Sequence, residues 1–597
     1  MNVLHVLSQN HLTGAEVYAT DLIKLQVQNH KVFQVSNGFF KATAAEKIIL
    51  PVETKSVFQF LKSARALRKI LIKNNIQVIH AHSRAASKLV NVARFGLKIG
   101  YVSTVHGRQH LSMSKKINNV YGDFVISVCE NIELQLKNEF KYNPRRTKTI
   151  ENGIDTQLFH FQSQKPHDPI LKIGIIGRDT GPKKIRTEIF INEFSKILNA
   201  QNIKYKFYVV GGKNYNILDN NLEINNAESK IDSDFYHQYD LICGSGRVCI
   251  EALLAGVPVI AFGESQYCGL VTHKNYYEFK KSNFGDIGFN FTEPVFNPEK
   301  AISDLKNLPE VSLKILSDIA NQDFNLKVVN KKIERMYESS YFLRNYSKWI
   351  PILMYHKIPD TAINSPHKIF VTKNNFEKHL HFFKNRSFTT LTFTDLAKFK
   401  SGEKCFSEFP KKPLILTFDD GYLDNIENAD PLLKKYNFTS QIYLLADATM
   451  TSNTWDQWAE GMSSEKHLIA SDINRSKWLK TNFEIGSHGL NHKKMPLMTA
   501  SEKMYELAES KKRLENEFNI KINSFAYTYG DTNSDCAEAC QLAGYDYGLN
   551  TDNGSLLLEE NPYSIFRVNI FPNETLFSLW KKTSYWYRKY YFFKRGK

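Results

Sequence analysis

The chain is 597 residues long, which is enough for three or four domains that each bury a core of their own. No apolar run approaches the roughly 20 residues that a membrane-spanning helix needs, so the composition excludes an integral membrane protein. Seven cysteines, an odd number without the paired spacing of small secreted domains, predict reduced thiols and exclude a disulfide scaffold. The formal net charge of +17 favours anionic partners.

The first 325 residues alternate short apolar strands with amphipathic helices. Strands are predicted at residues 2–7, 77–80, 101–105, 171–176, 206–210 and 240–243. This βαβ pattern predicts parallel sheets. We therefore expect two doubly wound, Rossmann-like domains in the α/β class, at residues 1–165 and 166–325, with a cleft between them.

A loop of the second domain combines glycine with cations. Gly177 and Arg178 follow the strand at residues 171–176, and Lys183 is expected in the same loop, just before the next helix. Helix-terminal amides together with an arginine and a lysine favour phosphate. The loop is therefore a candidate binding site for a diphosphate.

A second candidate site begins at the next glycine-bearing turn. Gly246 and Arg247 start a helix, and Glu251 lies one turn further along, where a carboxylate can accept hydrogen bonds from ribose hydroxyls. Taken alone, such a pattern is more often an ordinary loop with a helix-capping glutamate, and a glycine-rich loop is weak evidence.

Together, segments of this half resemble a glycosyltransferase of the GT-B class, family 4. The resembling segments are residues 12–16, 80–84, 104–107, 126–130, 151–155, 177–183 and 251–258. The resemblance implies transfer of a sugar from a nucleotide sugar, with Arg178 and Lys183 on the diphosphate and Glu251 on the ribose. Gly14 would allow close approach of the acceptor or phosphate, and His106 would either contact the donor sugar or pack at a strand end. No cofactor is implied for this half.

Residues 326–347 are predicted to form a connector helix, and a third domain is expected at 348–597. In it, an apolar run at 414–418 leads into Asp419 and Asp420, and His488 and His492 follow downstream. A spacing of four residues on one helical turn would place both imidazoles on the same face. Each pair alone is commonly unremarkable, but together they predict a divalent-metal site with a base beside it.

These motifs resemble the polysaccharide deacetylases with NodB homology, carbohydrate esterase family 4, over about residues 348–575. The resemblance implies a distorted (β/α) barrel that hydrolyses an acetamido group on a sugar. It makes Asp419 the general base and assigns Asp420, His488 and His492 to a divalent ion, with zinc as the first candidate.

Two positions depart from the pattern of that family. Ala526 stands where the third motif has an arginine that steadies the catalytic aspartate, and Arg567 is the candidate to supply that charge. The last motif lacks its usual histidine, so His356 is the candidate general acid, against a packed histidine or a neighbour of the metal site. In the third motif itself, Tyr527 and Tyr529 are candidates for substrate or oxyanion contact.

Two further segments carry predictions. Residues 447–482 form a polar, tryptophan-containing insertion that is expected to line the substrate groove, and Cys536 and Cys540 are read as packing residues. The tail from residue 580 to 597 mixes aromatic with basic residues and has no acidic one. Such a tail either contacts an anionic membrane surface or packs on the barrel as a terminal helix.

The sequence as a whole predicts a bifunctional enzyme of bacterial surface-polysaccharide synthesis, such as lipopolysaccharide O-antigen or capsule. It would use a nucleotide-sugar donor and a lipid-linked, polyprenyl diphosphate glycan acceptor, and it would remove an acetyl group from that glycan. The alternative is a glycosyltransferase whose C-terminal domain binds glycan without hydrolysis. The first residues enter a strand directly, so we expect a cytoplasmic protein with peripheral membrane contact, and no nucleic-acid partner.

Overall fold

A computed structural model describes the fold of most of the chain. The described residues are 1–8, 14–39, 42–109, 120–162, 169–177, 181–211, 215, 217, 221–225, 231–288, 297–363, 368–401, 403–455, 475–551 and 554–594. The chain divides into two compact units, Met1–Arg344 and Asn345–Lys597. Among the described residues, none of the helices combines the length and the apolar character that crossing a membrane requires.

The first unit contains two sheets of short, buried strands. Its strands are β1 Asn2–Val6, β2 Lys31–Ser36, β3 Glu46–Ile49, β4 Val78–Ala81, β5 Gly100–Val105, β6 Phe124–Ser127, β7 Thr147–Thr149, β8 Leu171–Ile176, β9 Tyr205–Val210, β10 Leu222–Asn225, β11 Leu241–Gly244, β12 Val259–Phe262 and β13 Tyr267–Leu270. Its helices are α1 Gly14–Gln26, α2 Val57–Lys73, α3 Arg84–Ala93, α4 Glu130–Asn138, α5 Gly181–Ala200, α6 Ser233–Tyr236, α7 Arg247–Ala255, α8 Tyr276–Lys281, α9 Pro298–Lys306, α10 Glu310–Phe324 and α11 Leu326–Asn345.

Both sheets are doubly wound. The first has the order β3-β2-β1-β4-β5-β6-β7 with parallel pairs throughout, and the second has the order β10-β9-β8-β11-β12-β13, in which only β13 is antiparallel to its neighbour. Strand order reverses beside β1 in the first sheet and beside β8 in the second, and such switch points open a crevice at the carboxyl ends of the strands. The predicted pair of Rossmann-like domains is confirmed.

The predicted connector is a helix, but it does more than connect. Helix α11 begins directly after α10, and its apolar residues Val329, Ile333 and Tyr337 pack into a core with Val3 of β1 and Val102 of β5. The last helix of the first unit therefore covers the first sheet, although the preceding helix belongs to the second.

Asp123 attaches α11 to this sheet. Its buried carboxylate accepts hydrogen bonds from the Tyr101 amide at 2.9 Å and from the Ser340 hydroxyl at 3.0 Å, and it pairs with Arg94 and with Arg344. Because Arg94 is itself only 9 % exposed, removing the carboxylate would leave a cation in the core without its partner.

The second unit is built around one parallel sheet. Its strands are β14 Ile352–Tyr355, β15 Thr389–Thr390, β16 Pro413–Asp419, β17 Ser440–Leu444, β18 Phe483–Ser487, β19 Ser524–Ala526, β20 Tyr547–Asn550, β21 Ile565–Phe566 and β22 Val568–Asn569. Its helices are α12 Lys373–Asn385, α13 Phe393–Ser401, α14 Asp430–Tyr436, α15 Ala500–Phe518, α16 Ser534–Leu542, α17 Leu576–Lys582 and α18 Tyr585–Lys594.

This sheet nearly closes into a barrel. The order is β21-β20-β19-β18-β17-β16-β14-β22, with β15 paired to β16. The two terminal strands, β21 and β22, are separated in sequence by Arg567 alone, so one short segment pairs with β20 on one side and with β14 on the other. The predicted distorted (β/α) barrel is confirmed, and the carboxyl ends of its strands form one rim.

We expect Asp123→Ala to destabilise the first unit by about 3 kcal/mol, because it leaves the buried Arg94 unpaired. The matched control is Asp318→Ala, whose pair with Lys314 is exposed and should contribute less than about 1 kcal/mol. Thermal melting of the full chain measures both changes. Equal melting temperatures for the two variants would contradict the role given to Asp123.

Candidate active sites

The first candidate site lies at the carboxyl end of β16. Asp419, the last residue of that strand, is 3 % exposed, and both of its carboxylate oxygens are bound by Arg567, at 2.6 Å and 2.8 Å. Arg567 also donates to the carbonyl of Asn550 and to the hydroxyl of Thr417, which fixes the plane of its guanidinium. Burial opposes ionisation of Asp419, but the charges of Arg567 and His488 and the hydrogen bonds from Arg567 together outweigh it and lower the pKa of that carboxyl.

Beside this pair, one carboxylate and two imidazoles converge. Asp420 Oδ1 lies 3.3 Å from His488 Nε2 and 3.3 Å from His492 Nε2, and all three side chains are buried. Ligand atoms about 2.0–2.1 Å from a tetrahedral zinc ion lie roughly 3.3 Å from one another. His488 Nδ1 lies 2.8 Å from the carbonyl oxygen of Ala526, so the proton sits on that nitrogen and Nε2 keeps its lone pair for a metal. The donor set therefore fits a divalent ion.

The predicted helical turn between the two histidines is wrong. Residues 488–494 form a loop after β18, in which Gly489 and His492 both have positive φ, at 84° and 60°. The Glu506 carboxylate accepts the Leu490 amide at 2.7 Å and holds the loop from helix α15. The imidazoles meet because the loop turns back on itself. The four-residue spacing therefore brings them together through a loop and not through a helical turn.

Aromatic residues surround the outer imidazole. The ring of Trp455 stacks on His492 at 4.6 Å, and Tyr529 meets it edge-on at 4.5 Å. Tyr529 is 47 % exposed, so it stands at the mouth of the site. His356 follows β14, and burial lowers its pKa although the charges of Asp419 and Asp420 oppose that shift.

The second candidate site lies at the carboxyl ends of β8 and β11 in the first unit. Lys183 Nζ donates to the Ser245 hydroxyl at 2.9 Å and lies 3.9 Å from the carboxylate of Asp286. Gly246 has a φ of 55°, and a side chain there would approach Asp286 and Asn283 to 3.0 Å. Lys183 and the Gly246 turn, which are 63 positions apart in the sequence, thus share one small region.

Glu251 lies one turn into helix α7. Its carboxylate is 4 % exposed and accepts from the Tyr236 hydroxyl at 2.7 Å and from Arg247 Nε at 2.6 Å. Arg247 also reaches Asp21 of helix α1, at 3.5 Å. This arginine therefore links the two Rossmann-like domains of the unit.

On the first sheet, His106 follows β5. Its side chain is partly buried, both ring nitrogens are buried without a hydrogen-bond partner among the described residues, and desolvation lowers its pKa to about 4. It lines a cavity of about 170 Å³ with His82, Arg84 and Tyr121. Gly14 is the first residue of helix α1 and has open space around it.

Comparison with known proteins finds a family match in each unit. Residues 12–158 match the sequence model of Glycosyltransferase Family 4, and residues 407–548 match that of Polysaccharide deacetylase. The chain thus carries a segment similar to each of these two families. Both are families of enzymes, and the second consists of hydrolases.

Known relatives match the deacetylase domain. A putative polysaccharide deacetylase of Bacillus subtilis, YxkH, is 28 % identical over 37 % of this chain and 72 % of its own length. The poly-β-1,6-N-acetyl-D-glucosamine N-deacetylase of Staphylococcus aureus is 28 % identical over 34 % of this chain and 67 % of its own length. Among solved structures, Anabaena HepE in complex with UDP is 18 % identical, with a TM-score of 0.43, over 57 % of this chain and 100 % of its own.

In the deacetylase domain, one candidate contact is corrected. The Tyr527 side chain is fully buried, and its hydroxyl donates to the carbonyl oxygens of Tyr563, at 2.9 Å, and Cys536, at 3.3 Å. The hydroxyl therefore stabilises the core and does not serve as a substrate or oxyanion contact. Cys536 and Cys540 are buried in the same core, as predicted.

Other predicted residues fall outside the described part of the chain. Arg178 belongs to them, as do residues 456–474 of the predicted groove-lining insertion. Trp455, at the start of that segment, stacks on His492.

Sequence reasoning missed three side chains of the glycosyltransferase and deacetylase sites. Tyr236 binds Glu251, Asp286 approaches Lys183, and Trp455 stacks on His492. Of these three, only Trp455 could be suspected from the sequence, because it lies in the predicted groove-lining insertion at residues 447–482. The other two lie in segments whose sequence has no distinctive pattern.

We expect the full chain, stripped of metal, to bind zinc through Asp420, His488 and His492. Asp420→Asn should weaken zinc binding by about 100-fold, because it removes the anionic ligand. The matched control is Asp535→Asn, whose carboxylate is 69 % exposed on helix α16. Calorimetric titration with zinc measures the affinities, and equal losses in the two variants would contradict the assignment of ligands.

Proposed function

We propose that this protein transfers a sugar from a nucleotide sugar to a lipid-linked glycan and removes an N-acetyl group from an amino sugar of that glycan. The observation that carries the second activity is the convergence of Asp420, His488 and His492 beside the Asp419–Arg567 ion pair. The residues supply a cation site and a base at one rim of a barrel, which is the arrangement that amide hydrolysis requires.

Asp419 is the proposed general base. Arg567 occupies one acceptor direction on each carboxylate oxygen, and each oxygen retains further lone pairs for a water molecule. The ion pair fixes the carboxylate in one orientation and keeps it ionised, so that it can accept a proton as the water attacks the amide carbonyl. A divalent ion held by Asp420 and the two histidines would supply Lewis acidity to that carbonyl and to the water.

The leaving amine needs a proton, and His356 is the proposed donor. It lies close enough to Asp419 and Asp420 for their charges to act on its pKa. Burial disfavours the imidazolium form of His356, whereas the charges of Asp419 and Asp420 favour it. The imidazolium would give its proton to the departing nitrogen and become neutral imidazole. Tyr529 at the mouth of the site is the proposed contact for the sugar ring.

We expect the zinc-loaded full chain to release acetate from a β-1,6-linked N-acetylglucosamine oligosaccharide. Asp419→Asn should lower kcat by about 10²–10⁴-fold, because it removes the base and leaves the metal ligands in place. Asp535→Asn, an exposed position on helix α16, is the control. Enzymatic detection of acetate measures the rate. Zinc binding by the wild-type protein without acetate release would favour the alternative, a domain that binds glycan without hydrolysis.

For the glycosyltransferase, we propose that Lys183 and Arg178 bind the diphosphate of the donor and that Glu251, with Gly246 and Arg247, binds the nucleotide ribose. Lys183 lies beside the Gly246 turn at the start of helix α7, where the helix dipole adds to its charge. Arg247 and the Tyr236 hydroxyl orient the Glu251 carboxylate before a ligand arrives.

We expect Lys183→Met to weaken the binding of UDP by about 10–100-fold, since a charged hydrogen bond to phosphate contributes about 1.5–3 kcal/mol. Lys196→Met, at the exposed far end of the same helix, should leave UDP binding unchanged. Calorimetric titration of the full chain with UDP gives both affinities. A Lys183→Met variant that binds UDP as the wild type does would remove Lys183 from the site.

The proposed lipid-linked acceptor and the cytoplasmic membrane surface are supported by the tail. Helix α18 packs on the barrel through Arg588 and Phe592, which both contact Phe566. Its other side exposes Trp586 by 56 % and Phe593 by 83 %. Exposed aromatic rings beside lysines and arginines are typical of a segment that holds an anionic leaflet. We propose surface-polysaccharide synthesis, such as O-antigen or capsule, as the setting.

We expect the protein to co-sediment with vesicles of phosphatidylglycerol and not with those of phosphatidylcholine. The double substitution Trp586→Ser and Phe593→Ser should lower the partition coefficient by roughly ten-fold. Leu497→Ser, which changes an 83 % exposed apolar residue elsewhere in the same unit, is the control. Unchanged sedimentation of the double variant would show that α18 is only a packing helix.

A further inference from the structure

A group of buried histidines lies inside the glycosyltransferase unit. His5 belongs to β1, His80 to β4, and His82 follows β4, with ring centroids of His80 and His82 4.0 Å apart. Burial lowers the pKa of His5 to about 4 and holds the pKa of His82 well below its usual value, so these rings are neutral near pH 7. The nitrogens of His5, His80 and His82 are close enough together to suggest a metal site.

The hydrogen bonds of His80 argue against a metal. Its Nδ1 lies 2.6 Å from the Tyr337 hydroxyl and its Nε2 lies 2.7 Å from the Thr104 hydroxyl. Both nitrogens are therefore already used, and three free lone pairs do not converge. The proton positions in the rest of the group follow from a chain of polar side chains that begins on helix α11.

That chain starts at a carboxylate, which can only accept hydrogen bonds when it is ionised. Burial opposes the ionisation of Glu334, but hydrogen bonds from His30 and Asn330 outweigh it and lower the pKa of Glu334. The Asn330 carbonyl oxygen accepts the Gln26 amide nitrogen at 2.9 Å, which leaves the Asn330 amide nitrogen for Glu334, four residues further along the same helix. The Gln26 carbonyl oxygen is left to accept a proton from His5 Nε2, at 2.9 Å.

The hydrogen bond from His5 to Gln26 fixes the tautomers of His5 and His82. A neutral His5 with its proton on Nε2 has a bare Nδ1, which lies 3.0 Å from His82 Nε2. His82 must therefore donate from Nε2, and its Nδ1 is left without a proton. That Nδ1 is buried and has no hydrogen-bond partner among the described residues. A buried acceptor without a donor is rare in proteins and calls for an explanation.

The cavity beside His82 provides one. It has a volume of about 170 Å³, and its lining includes Arg84, Thr104, His106 and Tyr121. It lies where the chain leaves β4 and β5, at the carboxyl edge of a parallel sheet, which is the edge that binds ligands in such folds.

We propose that His82 Nδ1 accepts a hydrogen bond from a hydroxyl group of the saccharide that occupies this cavity, and that Glu334, Asn330, Gln26 and His5 are positioning residues that hold the required tautomer. The proposal rests on the proposed glycosyltransferase activity. A lone pair at this place accepts a neutral hydroxyl and repels a carboxylate or a phosphate. The site thus selects for a sugar with a hydroxyl at one position.

The first experiment locates the protons in the free protein and needs no activity. Nitrogen-15 NMR of the full chain labelled at histidine should show His82 with an unprotonated Nδ1, assigned by its loss in His82→Phe. Gln26→Leu removes the acceptor that fixes the proton of His5, the residue that precedes His82 in the hydrogen-bond series. This variant should give a mixture of His82 tautomers. A protonated Nδ1 in the wild type, or an unchanged His82 in Gln26→Leu, would overturn the proposal.

The second experiment tests the ligand. In an Asp420→Asn background, the full chain is titrated with N-acetylglucosamine and with its 3-, 4- and 6-deoxy analogues. One analogue should bind at least ten-fold more weakly than the parent sugar, and His82→Phe should bind that analogue and the parent equally. Persistence of the ten-fold difference in His82→Phe would overturn the proposal.

Two controls separate this proposal from the others. The Asp420→Asn protein should hold zinc only at the weakened affinity, whereas one tightly held zinc ion per chain that is lost in His82→Phe would identify the histidine group as a metal site and overturn the proposal. If none of the four sugars binds while UDP still binds, the proposal fails and the proposed nucleotide site stands. If UDP binding is also lost, the proposed glycosyltransferase function fails with it.

Discussion

The ion pair between Asp419 and Arg567 connects the architecture of the deacetylase domain to its chemistry. Arg567 is the single residue between β21 and β22, the strands that bring the two ends of the sheet together. Its guanidinium binds both oxygens of Asp419, the residue that ends β16. In the sheet order, β16 is separated from β22 by β14 and lies far from β21. The orientation of the proposed base therefore depends on whether the barrel is closed.

A buried ion pair of this kind is expensive to desolvate, and it is tolerated when additional hydrogen bonds support it. Arg567 has such support from the Asn550 carbonyl and the Thr417 hydroxyl, in addition to Asp419. Next to it, no lysine or arginine among the described residues forms an ion pair with Asp420. Within that part of the chain its charge faces the two imidazoles 3.3 Å away, which leaves room in the electrostatic balance for a divalent ion.

Much of the fold can be predicted from the sequence, because alternation of apolar strands and amphipathic helices is a local signal. The strands near residues 2–6, 171–176 and 413–419 all lie where their apolar runs place them. The candidate metal triad could be predicted for a similar reason, since Asp420 and His488 each follow directly on a strand end and His492 lies four residues further along. The helical turn between His488 and His492 could not be judged locally, because Glu506 on a later helix shapes that loop. Likewise, the sequence of residues 525–530 does not indicate that the Tyr527 hydroxyl points into the core.

Arg567 stands 148 positions from Asp419, and it was a candidate only because the expected arginine is replaced by Ala526. Helix α11 gives the same lesson at the level of the unit, since it continues from the second Rossmann-like domain yet packs on the first sheet. A gene that carried the transferase alone would therefore have to extend to about codon 345. Recombination upstream of that codon would remove all or part of α11, the last helix that packs on the first sheet. A crossover just after it would exchange the second unit and leave α11 in place.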